Sequence, residues 1–184
     1  GYAQTAGAVA IVLDRVETEH LLDGYHFDFV VRNTECDAKS TVSAMIEFAS
    51  VENVSAVLGP PCGGLYAGTI STSYSIPTFM WGYTFAAELA DDSRFPFVST
   101  IIASSLSLGY AWIKLAEHMS WNSFALVYSH DTVGYSESIV KDVESAVNDG
   151  TTYQTTMTVK ALLDETNNAT YYARLEDIKE RARS

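Results

Sequence analysis

The stretch "VSAVLGPPCGGLYAGTISTSY" (54–74) joins a short apolar run, a double proline and two glycines to a segment of small residues. Because Pro60 and Pro61 have no amide hydrogen, the apolar run predicts a short strand that stops at this corner. The residues after the corner predict a helix over about 63–74. The corner also carries Cys62, the second of the chain's two cysteines.

Similar strand–helix steps occur on both sides of the corner. Helices are predicted over 5–20, 36–50 with Asp37 as N-cap, 105–121, 136–150 with Gly150 as C-cap, and 171–182. Strands are predicted over 25–33, where Tyr25, Phe27, Phe29 and Val31 alternate, and over 54–61, 76–82, 96–102, 123–131 and 152–159. Residues 84–95 are expected to form a loop with one helical turn. This alternation predicts an α/β fold with a parallel sheet and helices on both faces.

Composition excludes several classes of protein. The net charge of -12 argues against binding to nucleic acid or to an anionic membrane surface. The longest aliphatic run, residues 8–13, is far shorter than the ~20 residues of a membrane helix. The two cysteines can form one disulfide or remain two buried thiols. Two N-x-[ST] glycosylation motifs, at Asn53 and Asn168, favour secretion.

Motifs of catalysis and metal binding are incomplete in this sequence. The corner is neither a P-loop nor GxGxxG, and "GYSES" (134–138) lacks the second glycine of a nucleophile elbow. Neighbours in "SHD" (129–131) would point to opposite faces of a strand. The four histidines are isolated, and the Asp91-Asp92 pair is interpreted as a solvated loop tip. The sequence therefore predicts no catalytic site, no metal site and no cofactor.

The carboxyl ends of the predicted strands are the candidate ligand site, because ligands of open parallel sheets bind there. These ends are rich in glycine, serine, threonine and aromatic residues, which are typical of an organic-ligand cleft and also of turns. They span residues 59–62, 81–85, 100–105 and 129–135. The candidate ligand-binding residues are Pro60, Trp81, Gly82, Tyr83, Ser129, His130 and Asp131. The aromatic residues Tyr66, Tyr83, Tyr110 and Trp112 are interpreted as core residues rather than a stacking surface.

The chain resembles a known family in four segments. They are "HLLDGYHFDFVVRNTECDAKSTVSAMIEFASVENVSAVLGPPC" (20–62), "SIPTFMWG" (75–82), "AWIKLAEHMSWNSFALVYS" (111–129) and D-x-x-G-Y (131–135). Their order is similar to the ligand-binding region of receptor guanylate cyclases, nematode-like ones in particular, and of natriuretic-peptide receptors. This resemblance implies a two-lobed, type I periplasmic-binding-protein fold. It further implies a partial membrane-distal lobe over 1–103 without its first strand, a crossover helix over 104–121 and a partial second lobe over 122–184.

The resemblance also implies covalent structure, location and partners. Cys36 and Cys62 would form a disulfide, and the chain would lie outside the cell, as a glycoprotein, in a single-pass receptor that signals through cGMP. The ligand would be a small molecule or a peptide, and the full receptor a homodimer. Chloride binding, known at the matching corner of natriuretic-peptide receptors, is not carried over because Pro61 lacks the N–H that would bind it.

Two rival interpretations remain. One is another receptor or solute-binding protein of the same fold, such as the amino-terminal domain of an amino-acid receptor. The other is an α/β enzyme that would lose turnover when Ser129 or Asp131 is mutated. On the family's pattern we expect the chain to be a piece of a longer protein that is only marginally stable alone. It would not itself be catalytic.

Overall fold

The computed structural model of the chain describes residues 2–130, 135–149, 155–164 and 167–181. The chain divides into two compact units, Gly1–Asn33 and Thr34–Ser184. The first unit contains helix α1 (Tyr2–Thr18), as predicted. A turn follows, and the remaining residues of this unit are irregular.

The strand predicted over 25–33 is not formed, so this prediction was wrong. The residues that alternate in this segment, from Tyr25 to Val31, are between 44% and 76% exposed. Alternation specifies which side chains share a face, but a strand also needs a neighbouring strand to pair its backbone groups. The described strands all belong to the second unit and pair with one another.

The second unit begins with a three-stranded parallel sheet. Its elements are α2 (Ala38–Ser50), β1 (Val57–Leu58), α3 (Gly64–Tyr74), β2 (Thr78–Met80), a 3-10 turn (Ala87–Ala90) and β3 (Val98–Thr100). The order in the sheet is β1-β2-β3, with Val57 opposite Thr78 and Thr78 opposite Val98. The predicted N-cap of α2 is confirmed, because the Asp37 carboxylate accepts the Ser40 N–H at 2.8 Å.

A two-stranded parallel sheet follows in the same unit. Its elements are α4 (Ser105–His118), β4 (Ser123–Ser129), α5 (Tyr135–Asn148), β5 (Thr156–Leu163) and α6 (Asn168–Arg181). Strand β4 pairs with β5 from Ser123 to Ser129. The prediction of a parallel α/β fold is thus confirmed. Strand β5 extends past its predicted end at residue 159. The predicted C-cap Gly150 lies outside the described residues.

One face of the three-stranded sheet forms a hydrophobic core with α2 and α3. Its buried members are Met45, Val57, Ala67, Ile76, Met80, Leu89 and Phe95. Residues alternate along the strands, so that Leu58 and Phe79 point to the opposite, exposed face. This core fixes the strands whose carboxyl ends form the candidate site.

Large apolar residues recur at helical spacing in the segment of α4, which predicts one apolar face, but this face is the exposed one. Its residues Leu108, Trp112, Leu115 and Met119 are 38–52% exposed. The buried face carries Ser105, Gly109, Ile113 and Ala116. A Cβ on Gly109 would lie 3.1 Å from the Ala146 Cβ, so α4 and α5 approach closely through small residues. A sequence pattern of large apolar residues does not reveal such a contact. The core interpretation was likewise wrong for Trp112, Tyr66 and Tyr83, which are exposed.

Candidate functional site

The carboxyl ends of β1 and β2 meet at the proline corner. The Tyr83 N–H donates to the Pro61 carbonyl at 2.6 Å, and the Gly59 N–H donates to the Phe79 carbonyl at 2.8 Å. Gly82 has φ +79°, and a Cβ there would lie 2.7 Å from the Pro61 oxygen. Glycine is therefore required at position 82, because only it combines this backbone angle with such a close approach.

A disulfide between Cys36 and Cys62 ties this corner to the start of α2, and the predicted pairing is confirmed. The two Cα atoms are 5.3 Å apart. Cys62 is only 2% exposed, whereas Cys36 lies on an exposed turn just before α2. Gly63 follows with φ +76°, and a Cβ there would meet the Thr41 Oγ1 at 3.0 Å. Helix α2 and the corner are thus joined by both a covalent bond and close packing.

Beside the corner lies a narrow cleft between the two halves of the second unit. Its lining residues come from the start of α3, the segment after β2 and the first half of α5: Gly63, Gly64, Leu65, Tyr83, Thr84, Phe85, Ala86, Leu89, Ser138 and Ile139. The cavity volume is about 20 Å³, which is room for about one water molecule. A Cβ on Gly64 would lie 2.9 Å from the Thr84 Cβ, so the helix start and the loop are already in contact. The cleft is therefore closed in this structure.

The candidate ligand-binding residues of the first sheet lie together. Tyr83 lines the cleft and is 61% exposed. Pro60, Trp81 and Gly82 form the adjoining corner, where the Trp81 carbonyl accepts the Thr84 hydroxyl at 3.0 Å. The aromatic side chain of Tyr83 thus lies beside backbone groups of the corner that hydrogen bonds hold in place.

The candidates of the second sheet lie at the end of β4. Ser129 is half-buried, His130 is exposed, and Asp131 lies outside the described residues. The His130 Nδ1 is 2.6 Å from the Glu137 Oε1. Glu137 directly precedes Ser138, so the histidine approaches the α5 wall of the cleft without being among its lining residues.

A buried carboxylate, Asp142, was missed by the sequence analysis. It accepts the Ala87 N–H at 2.9 Å and also a hydrogen bond from the Ser105 hydroxyl. Asp142 shares the apolar face of α5 with Ile139 and Val143. A carboxylate on an apolar helical face was the signal that could have identified it, because such a group needs hydrogen-bond partners.

A more exposed ion cluster lies beside Asp142. Glu88 contacts Lys141 at 3.2 Å and Arg94 at 2.7 Å. The Lys141 ammonium and then the Arg94 guanidinium hold the pKa of Glu88 below its ordinary value, against the opposing effect of partial burial. Glu88 is thus ionised near neutral pH and links the 3-10 turn to α5.

An apolar cavity of about 470 Å³ lies between α4, α5 and β4 and shares the lining residue Ile139 with the cleft. Ser105 is the polar residue of its lining, and four consecutive residues of β4, 124–127, contribute to the wall. Successive strand residues point to opposite faces, so this cavity lies along an edge of β4. It is larger than the cleft, but it lacks the convergent polar groups of the strand ends, and we favour the cleft as the candidate site.

The described residues contain no group of His, Cys, Asp and Glu side chains suited to a metal ion. Within the same part of the chain, no helix is long and apolar enough to span a membrane. The cleft offers aromatic, hydroxyl and backbone groups, which suit binding of an organic ligand.

Comparison with known proteins connects these features to a group of receptors. Residues 4–184 match the family model described as "Receptor family ligand binding region". The chain is 36% identical over 186 residues to the receptor-type guanylate cyclase gcy-4 of Caenorhabditis elegans, with 100% of this chain and 16% of that protein covered. It is 32% identical over 185 residues to gcy-1 of the same organism, with the same shares covered. The chain therefore spans about a sixth of the length of these curated relatives.

Proposed function

The chain belongs to the family of receptor ligand-binding regions, with the type I periplasmic-binding-protein fold, and we propose that it senses an extracellular cue for a receptor guanylate cyclase. The observation that carries this proposal is the match of almost the whole chain to that family, together with 36% identity to a receptor-type guanylate cyclase. In the full receptor, ligand binding here would control synthesis of cGMP. The chain itself would bind without catalysis.

The disulfide supports an extracellular location. Disulfides persist in oxidising compartments and are rare in the cytosol. Both glycosylation motifs have exposed asparagines, Asn53 and Asn168, so a glycan could be attached at either. We infer a glycoprotein on the outer side of the plasma membrane, in a receptor with a single membrane helix.

The ligand would bind at the closed cleft. Tyr83 and the neighbouring corner residues Pro60, Trp81 and Gly82 would form one wall. Helix α5 would form the other, with Ser129 and His130 approaching from the end of β4. Asp131, which lies outside the described residues, remains a proposed ligand contact. These walls would belong to a first lobe over 1–103 and a second lobe over 122–184, connected by residues 104–121.

The size of the cleft bears on the ligand and on the mechanism. A drug-sized ligand needs about 300 Å³ or more, so the lobes would have to move apart to admit a small molecule or a peptide side chain. A change in lobe separation is a motion that a homodimeric receptor could transmit through a membrane.

The test replaces the matching region of the C. elegans gcy-4 receptor by this chain and measures cGMP in cells exposed to a panel of small molecules and peptides. We expect at least one cue to raise cGMP. Tyr83→Ala should shift the half-maximal concentration of that cue by at least tenfold. Tyr74→Ala is the matched control, because Tyr74 is a similarly exposed tyrosine (49%, against 61% for Tyr83) at the far end of α3. The proposal would be contradicted by a chimera that reaches the cell surface but shows no cGMP response to any cue, or by equal effects of the two variants.

A further inference from the structure

We propose that Asp142 is a clamp that holds the cleft closed, and that opening of the cleft requires its carboxylate to release the Ala87 N–H. The consequence for ligand binding rests on the proposed function, whereas the clamp itself does not.

Asp142 joins segments that are far apart in the sequence. Its carboxylate accepts the Ala87 N–H at 2.9 Å from the 3-10 turn and the Ser105 hydroxyl from the start of α4. Asp142 itself lies in the middle of α5. Three segments therefore converge on one carboxylate that is only 9% exposed.

Ser105 extends this network to the wall of the cleft. Its N–H donates to the Phe85 carbonyl at 2.6 Å, and its hydroxyl lies 2.9 Å from the same oxygen. Phe85 and Ala86 line one side of the cleft, while Ser138 and Ile139 line the other. The clamp thus sits directly behind the two walls and fixes their separation.

The physical cost of opening follows from burial. If the walls separate, Ala87 moves away from α5 and the carboxylate loses a charge-assisted hydrogen bond. A buried polar group that loses a hydrogen-bond partner is strongly disfavoured unless water replaces that partner. Opening must therefore hydrate Asp142, and this requirement keeps the open state rare. The Lys141–Glu88 pair at the rim is more exposed and contributes less, since exposed ion pairs are weak.

The test measures amide hydrogen exchange by mass spectrometry on the purified 184-residue chain, without ligand. Asp142→Asn preserves the volume of the side chain but removes its charge. We expect exchange in residues 83–89 to accelerate by at least tenfold, while exchange in α2 and α3 stays within twofold of the unmodified chain. Asp149→Asn is the matched control, because Asp149, just after α5, likewise accepts a hydrogen bond from α4, donated by the Tyr110 hydroxyl at 2.8 Å, but is exposed. It should leave exchange in 83–89 unchanged.

A second variant covers the case in which Asp142→Asn does not fold. Ser105→Ala removes one donor to the carboxylate and leaves the Ala87 bond in place, so we expect a smaller acceleration in the same segment. The clamp proposal would be overturned if amide exchange accelerated uniformly throughout the chain, if it did not accelerate in residues 83–89, or if Asp149→Asn had an equal effect. These outcomes are independent of whether the receptor chimera answers a cue, so failure of either proposal is recognised separately.

Discussion

Removal of the Cys36–Cys62 bond should destabilise the chain mainly through its unfolded state. The two cysteines are 26 residues apart, and a crosslink that closes a loop of this size contributes about 3.5 kcal/mol at 25 °C on the chain-entropy model. For a chain of this length, 1 kcal/mol corresponds to roughly 2–4 °C in Tm, so the expected loss is roughly 7–14 °C. The assay is urea unfolding and a thermal melt of the Cys36→Ala/Cys62→Ala double variant against the oxidised chain.

Two further measurements separate loop entropy from packing. The entropic mechanism predicts a larger m-value for the double variant, because its unfolded chain is less compact. Cys62 is buried and Cys36 is exposed, so the Cys36→Ala single variant removes the crosslink while leaving the buried sulfur in place. It should be nearly as unstable as the double variant. If the single variant instead keeps most of the stability, or if the double variant loses less than about 1 kcal/mol, the loop-entropy reasoning is refuted.

Three other predictions concern packing, charge and modification. Gly64→Ala should lower the free energy of unfolding by about 1–3 kcal/mol in urea titrations, since its Cβ would overlap buried atoms, whereas Gly7→Ala, with nothing within 4 Å, should not destabilise. The pKa of Glu88 is lower in the folded chain than its ordinary value of 4.5, so ionised Glu88 stabilises the fold at pH values above 4.5. This stabilisation is lost as the pH falls through the lowered pKa. The Tm difference between the unmodified chain and Glu88→Gln should thus be constant above pH 4.5 and shrink below it; a constant difference down to pH 2 would disagree. Expression through a secretory pathway should add glycans at Asn53 and Asn168, seen as a mass lost on enzymatic deglycosylation and absent when both are glutamine.

Local patterns in the sequence were enough to predict most helices and the parallel α/β class. The prediction that Asp37 caps α2 held because capping depends on residues three positions apart. The strand predicted over 25–33 failed because its alternation carries no information about a hydrogen-bonding neighbour. The disulfide was predicted from the family's pattern, since two cysteines in a sequence do not by themselves specify a bond.

The candidate site was predicted only in part. Strand-end reasoning pointed to Tyr83 and to the stretch that contains Ser105, because carboxyl ends of parallel strands share one edge. It did not find Gly64, whose close contact with Thr84 depends on how α3 packs. It also did not find Asp142, which is 55 residues from its partner Ala87.

The sequence by itself determined most of the succession of helices and strands and the stop at the double proline. Those features depend on periodicity, ring geometry and side-chain chemistry, which act within a few residues. The tertiary structure alone decided that α4 buries its small residues and exposes its large ones, and that the cleft is closed. It also decided that the buried carboxylate of Asp142 lies beside the cleft walls. Each of these depends on which distant segments approach one another, and that approach is set by the packing of the whole unit.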